Sequence, residues 1–251
     1  MKNLFKKVLL KVKSFIPNQY LDVISDLLIP NVFGQLGEDA VIHNHIDWVG
    51  LSANDVGSYI DIGCFHPTRG SNTFKFYRKG SSGLVIDIGK KKKKLWSLVR
   101  PRDLFINAAV VPLCFKDERI SFKQQQGYGA GTDHVLNEGV TDIDDKVCIE
   151  VDVINPKQIT DLCLKNTDWL SASWRLINID IEGMDEKVLL DFDLGLLKPD
   201  VIAIESFLPK SEIYLDKIKY HSKSNLTENL AQKGYTLQSI CGPTLIFTRI
   251  T

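Results

Sequence analysis

The chain has 251 residues, of which 44% are hydrophobic and 25% are charged, a composition typical of a globular protein with an apolar core. Lysine and arginine together equal aspartate and glutamate together at 31 each, so the net charge attracts neither nucleic acid nor an anionic surface. Because a single core can grow to about 250 residues before a chain usually divides, this length predicts one main domain.

The five cysteines are widely spaced and never arranged as C-x-x-C, which is typical of a protein in a reducing compartment. The first residues start like a secretory signal, but Lys11 and Lys13 interrupt the apolar run and no small-residue cleavage site follows. No stretch approaches the roughly 20 uninterrupted apolar residues that a membrane-spanning helix needs. We therefore expect a cytoplasmic protein that does not cross a membrane.

The N-terminal residues 2–16 carry apolar side chains at helical spacing, with lysines largely off that stripe, which predicts a basic amphipathic helix. Two interpretations stay open. The apolar face docks on the main domain, or the helix binds peripherally to anionic lipid on the inner face of the membrane. Pro17 and Pro30 separate short helical pieces beyond it. We expect an N-terminal helical extension over residues 1–33 and the main domain over residues 34–251.

Helices and apolar strands alternate through the main domain. Near-continuously apolar strands predict a parallel sheet that is covered on both faces. The final segments, joined by Gly242 and Pro243, predict an antiparallel hairpin. The expected fold is therefore α/β and Rossmann-like, a doubly wound, mostly parallel seven-stranded sheet that ends in this hairpin. Helices are predicted over 38–50, 71–79 and 185–192, and strands over 58–63, 83–88, 103–111, 175–181 and 200–206.

One insertion interrupts the alternation. Residues 118–124 and 146–153 predict an antiparallel pair on either side of a Gly-rich, acidic loop over 126–145. Loops of this length inside a domain are usually functional or mobile. We expect a second substrate to meet this loop and residues 207–225, because substrate pockets lie in variable loops.

Acidic residues close four of the predicted parallel strands, at the edge where ligands bind in doubly wound sheets. Asp61 and Gly63 close the first strand, where a carboxylate can meet a cationic amine and a glycine lets the backbone pass close to a ligand. Asp87 closes the second strand and can accept hydrogen bonds from a ribose hydroxyl pair, or else cap the next helix. No G-x-G-x-x-G follows the first strand, which disfavours a dinucleotide. We interpret the lysines of 90–94 as a solvated helix face.

A second acidic group lies further along the chain. Asp180 and Glu182 project to the same side of one predicted strand, and Glu205 closes its neighbour. Three such acids could hold a divalent metal such as magnesium, bind a cation, or include a protonated carboxyl that acts as base and acid. The alternative is that they cap helices or pair with lysine and arginine. His66 follows the first strand at the predicted mouth of the cleft, as a base, a substrate contact or a structural histidine.

Four segments together resemble the FkbM-type methyltransferases over roughly residues 34–250. Within them, DIG closes the first strand, HP and SNT follow it, and D-I-E-G closes the fourth. Five parallel strands before a hairpin are the class I methyltransferase order. The chain departs from the family at Gly89, where a proline-containing turn is common, and at Met184, where many members have histidine. The segments are GQLGEDAVI (34–42), YIDIGCFHPTRGSNTFKFYRKGSSGLVID (59–87), RPRDLFINAAVV (100–111) and INIDIEGMDEKVLLDFDLGLLKPDVIAIE (177–205).

The resemblance implies S-adenosylmethionine as donor and O-methylation, often of sugars in surface polysaccharides. By position it implies that Asp61, Gly63, Ser71, Asn72 and Asp87 contact the donor. The catalytic acids would be Asp180, Glu182 and Glu205. Two alternatives stay open: a non-catalytic protein that keeps the fold and acts at a membrane-associated glycan assembly, and a nucleotide-dependent oxidoreductase.

Overall fold

The structure is a computed structural model that describes residues 32–123, 148–181, 183–207 and 217–250. The amphipathic helix predicted over 2–16, the acidic loop predicted over 126–145 and Glu182 all lie outside the described residues. The predictions for those three features therefore stay predictions.

The helices and strands are numbered here in chain order within the described residues. The helices are α1 (Glu38–Trp48), α2 (Phe74–Arg78), α3 (Lys90–Val99), α4 (Pro156–Asn166), α5 (Asp185–Leu190), α6 (Leu194–Leu197), α7 (Lys217–His221) and α8 (Asn225–Gln232). The strands are β1 (Ser58–Ile62), β2 (Ser82–Asp87), β3 (Leu104–Asn107), β4 (Ala109–Val110), β5 (Arg119–Lys123), β6 (Cys148–Ile154), β7 (Arg175–Ile179), β8 (Val201–Glu205), β9 (Tyr235–Cys241) and β10 (Thr244–Arg249).

The main sheet has seven strands in the order β3-β2-β1-β7-β8-β10-β9. The first five of these strands run parallel, whereas β10 runs antiparallel to both β8 and β9. This confirms the predicted α/β, mostly parallel, Rossmann-like sheet with a C-terminal antiparallel hairpin. The order reverses at β1, so the next strand along the chain to join the sheet, β7, lies on the opposite side of β1 from β2.

Helices cover both faces of this sheet. On one face α4, α5, α6 and α8 pack on the larger apolar cluster, and on the other α1, α2 and α3 pack on a second cluster. Every residue of β1 is therefore buried, which explains why its sequence lacks the polar and apolar alternation of a half-exposed strand. Burial of large apolar side chains on both faces is the main favourable contribution to folding.

The strand predicted over 103–111 is wrong as a single strand, because the chain forms β3 and β4 instead. β3 belongs to the main sheet, whereas β4 pairs with β6 in a separate three-stranded sheet that β5 completes. Between them, the backbone N–H of Ala108 donates to the Asp87 carbonyl at 3.2 Å. The apolar run contains no turn signal, so the sequence pattern does not indicate that β3 pairs with β2 whereas β4 pairs with β6. The antiparallel pairing of β5 with β6 is confirmed.

Two further observations concern the predicted cellular setting. Among the described residues, no helix combines the length and the apolar character needed to span a bilayer. The four cysteines whose side chains are described, Cys64, Cys114, Cys163 and Cys241, are free thiols.

Gly63, directly after β1, lies where two segments of backbone meet. Its N–H donates to the Ile86 carbonyl at 2.9 Å, and the Asp180 N–H donates to the Ile62 carbonyl at 2.9 Å. Gly63 has a φ of 78°, and an added Cβ would lie far inside the van der Waals radius of the Asp180 carbonyl oxygen. The structure thus requires glycine here because the end of β7 passes close by.

We expect Gly63→Ala to destabilise the protein by more than about 3 kcal/mol, since the methyl group meets a backbone oxygen that cannot move away. Gly234→Ala is the matched control, because Gly234 has a φ of 83° but no atom within 4 Å of an added Cβ. The control should lose only the roughly 1 kcal/mol of a left-handed alanine. Urea unfolding of both variants measures the difference, and equal losses would contradict the close-approach account.

Candidate functional site

The acidic strand ends meet at the carboxyl edge of the main sheet. Asp61 lies beside Val85 and Asn178 in register, and Asp87 lies two residues beyond Val85 on β2. Because residues in register on parallel strands share a face, Asp61, Asp87 and Asn178 project toward the side that α1, α2 and α3 cover. The structure therefore brings the predicted donor-binding acids together at one edge and on one face.

Asp61 is buried, and both of its carboxylate oxygens accept hydrogen bonds from other side chains. Thr73 Oγ1 donates to Oδ2 at 2.5 Å, and Asn178 Nδ2 donates to Oδ1 at 2.9 Å. Burial raises the pKa of Asp61, while the bonds from Thr73 and Asn178 and the charge of Arg100 oppose that rise. A ligand amine could bind this carboxylate directly only by sharing or displacing one of these partners. Direct contact between Asp61 and the donor stays a prediction.

Arg100 is the residue beneath this site that sequence reasoning missed. Its side chain is fully buried, and it forms an ion pair with the equally buried Asp103 at 2.6 Å. The other guanidinium N–H groups donate to the Tyr59 hydroxyl, Thr73 Oγ1, Ser71 Oγ and the Pro67 carbonyl at 2.8–3.3 Å. Arg100 also lies over the Trp96 ring, 4.6 Å from its centroid. In the sequence it is one arginine at the end of a lysine-rich helix, with nothing to indicate burial.

Ser71 and Asn72 differ in what they contact. Ser71 Oγ accepts the N–H of Phe74 at 3.1 Å, and the helix predicted from residue 71 begins at Phe74 instead. Asn72 Nδ2 instead donates to Asn178 Oδ1 at 3.0 Å. Asn72 and Asn178 therefore form a chain of side-chain amides that ends at Asp61. The sequence predicted Asn72 by position, but not Asn178, which looks like one polar residue inside an apolar strand.

Asp87 forms an ion pair with Lys92 at 3.0 Å, and the two side chains are 8% and 19% exposed. Burial raises the pKa of Asp87, while Lys92 and the N–H groups of Phe65 and Ile88 lower it. Because α3 has no side-chain cap, the alternative that Asp87 caps it is wrong. The solvated-face interpretation of the lysine run is also wrong for Lys92, although Lys93 next to it is exposed.

Phe65, in the turn after β1, completes the surroundings of this ion pair. Its backbone has a φ of 45°, a left-handed conformation that is unusual for an aromatic residue. Lys92 Nζ lies 5.3 Å from the centroid of the Phe65 ring. Such strain is concentrated at functional sites, where the surrounding structure maintains it. The combination distinguishes this strand end from an ordinary turn.

His66 is buried in the turn after β1. Its Nδ1 accepts hydrogen bonds from the backbone N–H groups of Thr68 at 3.2 Å and Arg69 at 3.1 Å. The ring thereby caps the turn that follows it, and the lone pair of Nδ1 is already used. In the neutral ring Nε2 then carries the hydrogen and can only donate, so a role of His66 as base would require Nδ1 to release these partners, and it stays a prediction.

Asp180 and Glu205 are half-buried at the ends of neighbouring strands, directly after β7 and at the last position of β8. Asp185 orders the turn beyond Asp180, because its carboxylate accepts the N–H groups of Ile181 at 2.7 Å and Gly183 at 2.8 Å. No group of three or more His, Cys, Asp or Glu side chains within the described ranges could hold a metal ion. The predicted metal set includes Glu182, outside those ranges, and stays a prediction.

A cavity of about 450 Å³ lies away from the acidic strand ends, between α7, α8 and the edge strand β9. Ile218 and Ser222 contribute to its lining, and both belong to the 207–225 segment that was expected to meet a second substrate. None of the predicted catalytic or donor-binding residues lines it.

The chain has no match among protein-family models, and neither curated proteins nor solved structures show significant similarity to it. The resemblance to FkbM-type methyltransferases therefore rests on the segments quoted above.

We expect Lys92→Met to cost roughly 1–2 kcal/mol of stability near pH 7.5 and less near pH 5. Without Lys92 the pKa of the buried Asp87 rises further, so Asp87 takes up a proton as the pH falls through that value. The Asp87–Lys92 pair therefore contributes to the free energy of unfolding above the pKa that Asp87 has in the folded protein, and this contribution is lost below that pKa. Urea unfolding at the two pH values measures this.

Lys93→Met is the matched control for charge, because Lys93 is exposed on the same helix. We expect it to change stability by less than about 0.5 kcal/mol at both pH values. A pH-independent loss in Lys92→Met, or the same loss in both variants, would contradict a functional ion pair with Asp87.

Proposed function

We propose that this protein is an S-adenosylmethionine-dependent O-methyltransferase. The acceptor we propose is a hydroxyl of a sugar in a surface polysaccharide or glycan precursor. One observation supports S-adenosylmethionine as the methyl donor: several carboxylates lie at the carboxyl edge of a sheet with a particular strand order. Numbered along the chain, the seven strands of the main sheet have the order 3-2-1-4-5-7-6 with only the seventh antiparallel, an order that fits the class I methyltransferase arrangement implied by the resemblance. The sugar acceptor follows from the family resemblance alone.

The residues at the carboxyl edge fit the donor chemically. S-adenosylmethionine carries a sulfonium and an ammonium, both positively charged. Asp61, Asp87 and Glu205 all lie at this edge, on the face of the sheet that α1, α2 and α3 cover. Asp87 would hold the ribose hydroxyls, for which Lys92 must share or release one carboxylate oxygen. Gly63 keeps the first turn close to the strand ends, and Ser71 and Asn72 would line the donor site.

The donor supplies a methyl group already activated by its positive sulfur, so the protein need not activate it further. What remains for this chain is to hold an acceptor hydroxyl in line with that methyl group and to receive its proton. Asp180 is the described residue best suited to receive it, since it is half-buried beside Gly63 at the end of β7. Glu182 and Glu205 are the other candidate acids, and a magnesium ion would serve the same end by stabilising the alkoxide.

We expect S-adenosylhomocysteine to bind the full chain with a dissociation constant of about a micromolar, measured calorimetrically with and without magnesium. Asp87→Asn should weaken binding by about tenfold or more, because hydrogen bonds to a charged carboxylate are among the stronger ones. Asp55→Asn, at an exposed position before β1, removes the same charge and should leave binding unchanged. Failure of the folded protein to bind in either buffer would favour the non-catalytic scaffold.

We expect Asp180→Ala to abolish methyl transfer while leaving S-adenosylhomocysteine binding within about severalfold, since the base contacts the acceptor rather than the donor. Transfer of labelled methyl to a panel of sugar and glycan-precursor acceptors measures the first property, and calorimetry measures the second. If both are lost together in a folded variant, Asp180 belongs to the donor site and the assignment as base is wrong.

A further inference from the structure

Hydrogen-bond chemistry fixes which atoms donate and which accept in the chain of side-chain amides from Asn72 through Asn178 to Asp61. The two oxygens of an ionised carboxylate only accept hydrogen bonds, so Asn178 must present its Nδ2 group to Asp61 and its Oδ1 to Asn72. Asn72 then donates with Nδ2 and is left with an oxygen at the far end. Flipping both amides would place an oxygen against the Asp61 carboxylate. The chain therefore extends the acceptor character of Asp61 outward to Asn72 Oδ1.

Asn72 Oδ1 is buried and has no hydrogen-bond partner among the described residues. A second hydrogen-bond-accepting oxygen, Glu38 Oε2, lies near it beside the Cα of Gly34. A Cβ built on Gly34 would lie 2.8 Å from Asn72 Oδ1 and 2.6 Å from Glu38 Oε2. Both oxygens therefore lie beside the same place, and a buried acceptor such as Asn72 Oδ1 costs free energy unless a hydrogen-bond donor reaches it.

The charge at this place is negative and is not neutralised within the described residues. Glu38 is 4% exposed, and Oε2 accepts the Leu36 N–H at 2.8 Å without a lysine or arginine partner in the described ranges. The nearby Asp39 differs, because both of its oxygens accept backbone N–H groups, from Phe33 at 2.9 Å and Gly34 at 3.2 Å. Arg100 lies on the other side of Asp61 with its N–H groups already engaged.

Given the donor site proposed above, on which the assignment rests, we infer that Glu38 and Asn72 bind the α-ammonium group of the donor's amino-acid part. An ammonium has three N–H groups and a positive charge, so it can donate to Asn72 Oδ1, which lacks a hydrogen-bond partner within the described residues, and neutralise Glu38, which lacks a lysine or arginine partner there. Asp61 then acts as a positioning residue, because it orients the two amides without touching the ligand. Glu38 thus becomes a donor-binding residue contributed by the segment that precedes the sheet.

The test compares two ligands that differ in one group: S-adenosylhomocysteine and its deamino analogue, in which hydrogen replaces the α-amine. Calorimetry is done on the full chain as wild type, Glu38→Gln and Asp39→Asn. Glu38→Gln keeps an oxygen for the Leu36 N–H and removes only the charge. We expect it to weaken S-adenosylhomocysteine binding by about tenfold or more and to change binding of the deamino analogue by less than about twofold.

Asp39→Asn removes a charge one residue away and should affect the two ligands equally. Thermal unfolding checks that each variant is folded. Gly34→Ala is a second variant, because its methyl group occupies the place where the two oxygens converge, and it should also lose selectivity for the amine.

The possible outcomes separate this inference from the proposed function. If the wild type binds both ligands equally well, or Glu38→Gln weakens both alike, the donor site stands and the ammonium assignment is overturned, with a water molecule satisfying the two oxygens. If the folded wild type binds neither ligand, the proposed function fails and the assignment fails with it.

Discussion

A buried arginine organises the side of the sheet on which the candidate site lies. Arg100 pairs with Asp103 where neither side chain is exposed, and its other N–H groups contact β1 and the turn between β1 and α2. Removing one partner of a buried ion pair generally costs about 3–5 kcal/mol, because the other charge is left without compensation. The backbone after β1 is thereby held in one conformation by a charge that no solvent or ligand reaches.

The same network decides what the first acidic strand end can do. Arg100 and Asp61 share Thr73, whose hydroxyl accepts from the guanidinium and donates to the carboxylate. This fixes Asp61 in the interior, where the Asn178 amide donates to it and the Asn72 amide donates to Asn178. An acid at a strand end can therefore act through its neighbours, since a carboxylate with both oxygens engaged orients the groups around it.

The second strand end follows a different principle. Asp87 is kept beside one cation, Lys92, in a turn that also holds Phe65 in a strained conformation. Lys92 in this pair is 19% exposed, whereas both side chains of the Arg100 pair are fully buried. The two acids that look equivalent in the sequence thus differ in their surroundings: both oxygens of Asp61 accept from neutral side chains, whereas Asp87 pairs with a lysine.

The sequence by itself determined the layered fold and the edge at which the site lies, because strand periodicity is local and parallel strands collect their carboxyl ends on one side. It indicated Asp61, Asp87, Asp180 and Glu205 for that reason. Only the tertiary structure decided which of the neighbouring lysines meets Asp87, that His66 turns inward and that the strand predicted over 103–111 divides. These outcomes depend on partners distant in the chain, such as Asn178 for Asp61, and no local pattern encodes which distant side chains will meet.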